Sequence, residues 1–101
     1  MERNLEGKTA IITGGTSGIG KAVASQLADL AANVIIVGRN DQKGKSAAEH
    51  INAQDRHVRF IKCDISDENE IKGLFDEVKE DYGRLDFLFN NAGVEGNMAP
   101  V

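Results

Sequence analysis

The sequence predicts an α/β fold, a parallel sheet whose strands alternate with helices in the order βαβαβαβ. Three observations carry this reading. Four short apolar runs recur along the chain, at Lys8–Thr13, Asn33–Val37, Val58–Cys63 and Leu85–Phe89. Between them lie stretches whose apolar residues repeat at helical spacing. A glycine-rich turn, "TGGTSGIG" from Thr13 to Gly20, joins the first run to the first of these stretches.

The first run, "KTAIIT", is apolar and ends at glycines, as a buried strand does. From Gly18 onward, Ile19, Ala22, Val23, Leu27 and Leu30 follow helical spacing, so the opening unit is strand, glycine turn, helix. "NVIIV" is a second buried strand, closed by Gly38, Arg39 and Asn40. Asn40 or Asp41 caps the next helix, whose narrow apolar stripe is Ala47, Ala48 and Ile51. Gly44 inside it costs about 1 kcal/mol relative to alanine.

"VRFIKC" mixes alternation with branched and aromatic residues and reads as the third strand. "SDENE", from Ser66 to Glu70, offers a cap and acidic residues suited to the positive end of a helix. Ile71, Leu74, Phe75, Val78 and Tyr82 then form the clearest amphipathic stripe in the chain, and Gly83 closes it. "LDFLF" is the fourth strand, followed by a turn-forming segment, "NNAGVEGNMAPV".

Bulk properties bound the function. The 101 residues allow one domain with a real core. Twelve Lys and Arg against sixteen Asp and Glu give a net charge of -4, which argues against a nucleic-acid or anionic-membrane surface. No apolar run is long enough to span a bilayer, and Met1 to Lys8 is polar and charged rather than a secretory leader. The single cysteine, Cys63, has no internal partner and reads as a small buried hydrophobe, so a reducing cytoplasm is expected. His50 and His57 lie among polar residues with no second ligand at metal spacing, and Asp67, Glu68 and Glu70 read as a solvated helix start. No metal site is therefore expected.

The glycine turn admits two phosphates. From Gly15 the chain runs G-x-x-x-x-G-K, as a triphosphate-binding loop does; from Gly14 it runs G-x-x-x-G-x-G, a turn suited to a dinucleotide pyrophosphate. Both use glycines for close backbone approach and a helix N-terminus aimed at an anion. The triphosphate loop needs a hydroxyl after its lysine to ligate Mg²⁺, and that position is Ala22. The dinucleotide turn needs a group about 20 residues on that reads the adenosine ribose, a carboxylate for a free 2′-hydroxyl or an arginine for a 2′-phosphate. Arg39 stands there after Gly38, with no carboxylate at the strand end. A solvated loop arginine is the plain alternative, but its position relative to Gly14, Gly18 and Gly20 favours NADP(H) over NAD(H).

Three motifs at the ends of strands one, three and four then resemble one family, the short-chain dehydrogenases/reductases. Thr13 to Gly20 is similar to its T-G-x-x-x-G-[IL]-G turn, Cys63-Asp64-Ile65 to its C-D-[VI], and Asn90-Asn91-Ala92-Gly93 to its N-N-A-G. The resemblance covers essentially the whole chain and implies a Rossmann-type sheet of order 3-2-1-4. It implies that Gly14, Gly18 and Gly20 shape the pyrophosphate turn, and that Thr16, Ser17 and Ile19 contact the cofactor. By the same resemblance Asp64 accepts a hydrogen bond from the adenine amino group, and Ile65 lies against the ring. Arg39 and Asn40 border the adenosine ribose, and Asn91, Ala92 and Gly93 line the ribose side, while Asn90 braces the sheet. One departure concerns the coenzyme: members specific for NADP(H) often carry a basic residue just before the middle glycine, where this chain has Ser17.

The family's active site of Asn, Ser, Tyr and Lys would lie beyond Val101. A tyrosine needs a neighbouring lysine because its free pKa of about 10 makes it a poor base at neutral pH. The only tyrosine here, Tyr82, has Asp86 four residues on and completes a core stripe. The chain is thus expected to be the truncated, cofactor-binding half of an oxidoreductase interconverting carbonyl and alcohol, with no catalytic residue of its own. The alternative is a non-catalytic nucleotide-binding or assembly module of the same descent. With one helix on the second sheet face, exposed apolar surface and a bare strand edge are expected, and with them a homo-oligomer or a complementing chain.

Overall fold

The computed structural model describes residues 5–14, 16, 18–53 and 56–90. In them the chain runs β1 (Thr9–Thr13), α1 (Gly18–Asp29), β2 (Asn33–Gly38), α2 (Asp41–Asn52), β3 (Val58–Lys62), α3 (Glu68–Tyr82) and β4 (Phe87–Asn90). The strands form one parallel sheet of order β3-β2-β1-β4, the predicted topology.

Alternation within the central strands builds a core on each face. Ile12, Val34 and Ile36 face α1 and α2, where they meet Ala24, Ala47, Ala48 and Ile51. Ile11, Ile35 and Val37 face α3, where they meet Leu74, Val78 and Cys63. Burying each isoleucine fully contributes about 1.5–3 kcal/mol, so these two layers dominate stability. The alanines of α2 keep that helix close to the sheet. Gly44 goes further: a Cβ there would stand 2.0 Å from Cε1 of Phe60, whose ring occupies the space a side chain would take. The glycine that weakens the helix locally is what lets α2 lie against β3.

Helix ends refine the sequence reading. Asn40, not Asp41, caps α2, its Oδ1 accepting the Lys43 N–H at 3.0 Å. Within the segment Ser66–Glu70 that offered a cap, it is Asp67 that caps α3, accepting from the N–H groups of Asn69 and Glu70. Gly83 ends α3 with φ +78°. α1 stops without a glycine: Ala31 takes φ +71°, its N–H bonds to the Ala28 carbonyl, and the Ala32 N–H bonds to that of Leu27. These two bonds are a Schellman closure with alanine in the left-handed position.

The fourth strand starts later than the run Leu85–Phe89 suggested. Asp86 is used before the strand, its N–H donating to the Thr9 carbonyl at 2.9 Å and its carboxylate accepting the Thr9 N–H at 2.8 Å, while Leu85 packs against α3. The third strand ends at Lys62, although Cys63 still donates to the Gly38 carbonyl at 2.9 Å. Across the sheet Thr13 Oγ1 donates to Asn90 Oδ1 at 2.9 Å. Phe87, Leu88 and Phe89 are all exposed on β4, the outermost strand beside β1. Tyr82 packs into the α3 core.

Candidate cofactor-binding site

Parallel pairing sends the carboxyl ends of β1, β2 and β3 to the same edge of the sheet, and a crevice of about 540 Å³ opens there. Its first wall is the glycine turn. Gly14 and Gly18 take φ of +66° and +60°, conformations a side chain would strain, and the Gly14 N–H donates to the Val37 carbonyl at 3.0 Å. The turn is therefore tied to the end of β2. Gly38 closes the gap further, since a Cβ there would stand 3.1 Å from Thr16 Cγ2. Gly20 is buried inside α1, whereas Ile19 is exposed beside it.

The second wall is the β2–α2 junction. Arg39 and Asn40 are exposed and line the crevice together with Lys43 from the first turn of α2. The third wall follows β3. Asp64 Oδ1 accepts from the Ser66 N–H at 2.9 Å and from the Ser66 hydroxyl at 2.7 Å, and its own N–H donates to Glu70 Oε1. Bonding from the Ser66 hydroxyl, then from its N–H, holds the Asp64 carboxyl below the usual range, and Arg39 across the crevice acts in the same direction. Asp64 Oδ2 makes no hydrogen bond among the described residues. Ile65 is half-buried against the α3 core, and burial raises the Cys63 thiol, which forms an apolar part of the lining.

The structure thus brings Gly14, Thr16, Arg39, Asn40, Asp64 and Ile65 to one crevice, with Gly18, Ile19 and Gly20 at the start of the adjoining helix. Ser17, Asn91, Ala92 and Gly93 lie outside the described residues. Sequence reasoning missed Gly38 as the point where two loops meet, and Lys43 and Ser66 as lining residues. Lys43 had a readable signal: with Asn40 as the cap, it is the third helical residue and returns toward the strand end. Among the described residues no group of three His, Cys, Asp or Glu side chains could hold a metal ion. No described helix is long and apolar enough to cross a membrane.

An open cleft at the carboxyl edge of a parallel sheet, with glycines at the N-terminus of the first helix, can receive an elongated ligand whose phosphates face backbone N–H groups. Comparison with known proteins gives the same direction. The family model for short chain dehydrogenase matches residues 8–101. The chain is 43% identical over 89 residues to 3beta-hydroxysteroid dehydrogenase of Mediterraneibacter gnavus, covering 88% of this chain and 32% of that protein. Among solved structures, a citronellol catabolism dehydrogenase of Pseudomonas aeruginosa superposes with TM-score 0.83 at 35% identity, over 87% of this chain and 37% of that one. A metagenomic short-chain oxidoreductase in complex with NADP gives TM-score 0.79 at 32% identity, over 83% and 38%. The chain spans about a third of the length of these proteins. The match runs through every element from β1 to β4, and the chain belongs to the short chain dehydrogenase family.

Proposed function

We propose that this chain forms the nicotinamide-dinucleotide-binding part of an oxidoreductase that interconverts a carbonyl and an alcohol by hydride transfer, with NADP(H) preferred over NAD(H). The observation that carries the reading is the single crevice bordered by the glycine turn, Arg39 and Asp64. Its volume is that of a small-molecule site, and the close approach of Gly38 to Thr16 leaves the turn's backbone near the ligand.

In this reading Gly14, Gly18 and Gly20 let the pyrophosphate approach the start of α1, with Thr16, Ser17 and Ile19 contacting the cofactor. Asp64, ionised at neutral pH as any ordinary carboxylate is, accepts from the adenine amino group through Oδ2. Ile65 packs on the adenine. Arg39 and Asn40 hold the adenosine ribose, and Arg39 pairs with a 2′-phosphate where a carboxylate would repel it. Asn91, Ala92 and Gly93 follow β4 and lie along the ribose side. When bound, the nicotinamide supplies or accepts the hydride. Proton transfer is assigned to groups not among these 101 residues, because Tyr82 packs in the core and Asp86 four residues on is engaged by Thr9 and Arg84.

The exposed Phe87, Leu88 and Phe89 support a reading in which β4 is covered by further polypeptide, from a complementing chain or a second copy. That same surface is the one observation favouring the alternative, a non-catalytic nucleotide-binding or assembly module. A cytoplasmic setting, without nucleic-acid or membrane partners, completes the proposal and rests on the net charge of -4 and the buried, unpaired Cys63. Titration with NADPH, NADH and ATP–Mg²⁺ tests it: NADPH is expected to bind best, and tightest binding of ATP would sink the dinucleotide reading. Assayed on a panel of aldehydes and ketones, these residues alone are expected to give no turnover.

A further inference from the structure

We propose that Lys43 is a second cation for the 2′-phosphate of NADP(H) and so a determinant of coenzyme choice; the inference rests on the dinucleotide reading above. A phosphate monoester carries close to two negative charges at neutral pH, with three acceptor oxygens. Arg39 alone offers one charge and a planar fork that satisfies two of those oxygens. Ser17, just before the middle glycine, adds no charge.

Lys43 is placed to add it. The Asn40 cap fixes the first turn of α2 by accepting the Lys43 N–H, so the Lys43 side chain starts from the end of the helix next to Arg39. Lys43 lines the main crevice with Gly14, Arg39 and Asp64. It also lines a second depression of about 520 Å³, shared with Thr16, Asn40 and Lys21 of α1. Thr16, Asn40 and Lys43 belong to both, so Lys43 stands where the two hollows join, with a second lysine lining the smaller one.

Local charge is favourable. The only acid in the first turn of α2 is Asp41, and its carboxylate is paired with Lys45 at 3.1 Å. Among the described residues neither Lys43, Lys21 nor Arg39 forms an ion pair. Among the described residues lining the main crevice the acid is Asp64, its Oδ1 engaged by Ser66. An anion entering beside Asn40 therefore meets Arg39 and Lys43 with the positive end of a twelve-residue helix behind them.

The test uses two probes that differ only in the phosphate, 2′,5′-ADP and 5′-AMP, titrated calorimetrically into the whole chain and into K43Q, K43R and R39Q. Lys43 is exposed, so the variants are expected to unfold at the wild-type temperature. K43Q should weaken 2′,5′-ADP about tenfold, the order for one charge-assisted hydrogen bond at an exposed site, and leave 5′-AMP unchanged. K43R should keep most of the affinity. If K43Q binds both probes as the wild type does while R39Q loses the preference, the role of Lys43 is overturned and the NADP(H) reading stands. If the wild type shows no preference for 2′,5′-ADP, or binds neither probe, the NADP(H) reading fails and the role of Lys43 with it.

Discussion

Replacing Gly44 with alanine sets two effects against each other, and their magnitudes decide the sign. In an exposed helix interior the change stabilises by about 1 kcal/mol. Here the new Cβ would sit 2.0, 2.1 and 2.3 Å from three ring carbons of Phe60, where carbon atoms at rest stand about 3.5–4.0 Å apart. The ring must retreat by roughly 1.5 Å, or α2 must lift and loosen Ala47, Ala48 and Ile51 from the sheet. Overpacking of this kind costs about 1–3 kcal/mol, and swinging a partly buried phenyl ring into water falls in the same range. Gly44→Ala should therefore destabilise the chain by about 1 kcal/mol, roughly 2 kcal/mol away from the helix-propensity expectation. Urea unfolding of the wild type, Gly44→Ala, Phe60→Ala and the double variant measures this directly. With the ring gone, the alanine should stabilise by up to about 1 kcal/mol, so the cycle should show a coupling of about 2 kcal/mol. Stabilisation by Gly44→Ala in both backgrounds would refute the packing argument.

Two further outcomes follow from the same physics. Ala31→Gly should raise stability by about 0.5 kcal/mol, because relief of a left-handed alanine, about 1–2 kcal/mol, exceeds the extra freedom glycine gives the unfolded chain; a lower midpoint in thermal melts would contradict it. Asp86, held at about 2 first by Arg84 and then by the Thr9 N–H, contributes stability that is complete above its unfolded pKa near ~3.9 and is lost as pH falls through about 2. Melts of Asp86→Asn between pH 6 and 2 should then show a shallower fall below pH 4 than the wild type, and identical slopes would remove Asp86 from the account.

Element order and the two-faced core were legible because they rest on periodicity, which a sequence displays directly, whereas the sheet order followed from the resemblance carried by the motifs at the strand ends. Ile11 and Ile12, or Ile35 and Ile36, need only be adjacent apolar residues in a short run to serve opposite faces. The features that were not legible depend on which distant residue arrives. Gly44 reads as a weak point in a helix until Phe60, sixteen positions along, occupies its side-chain space. Asp86 reads as part of a strand until Thr9 claims both its N–H and its carboxylate. The segment Ser66–Glu70 offers a cap without saying which residue serves, and that is decided only when Asp64 engages the Ser66 hydroxyl and Asp67 caps the helix. Ala31 carries no signal at all, since alanine is the best helix former and nothing local marks it as the end.

The site follows from the core more closely than its separate motifs suggest. Thr13 pairs with Val37 and Val37 with Ile61, so the strands end level and Gly14, Arg39 and Asp64 emerge around one opening. That register is not a choice the loops make. Slipping β2 by one residue against β1 would turn Val34 and Ile36 toward α3 and Ile35 and Val37 toward α1 and α2, exchanging the layers that fill the two cores. The same slip would move Arg39 about 3.3 Å along the strand direction, more than the length of a hydrogen bond, away from the glycine turn. Alternation in a three-residue and a four-residue apolar segment thus sets the width of the crevice, and Gly44, by letting α2 settle on Phe60, sets where Lys43 meets it.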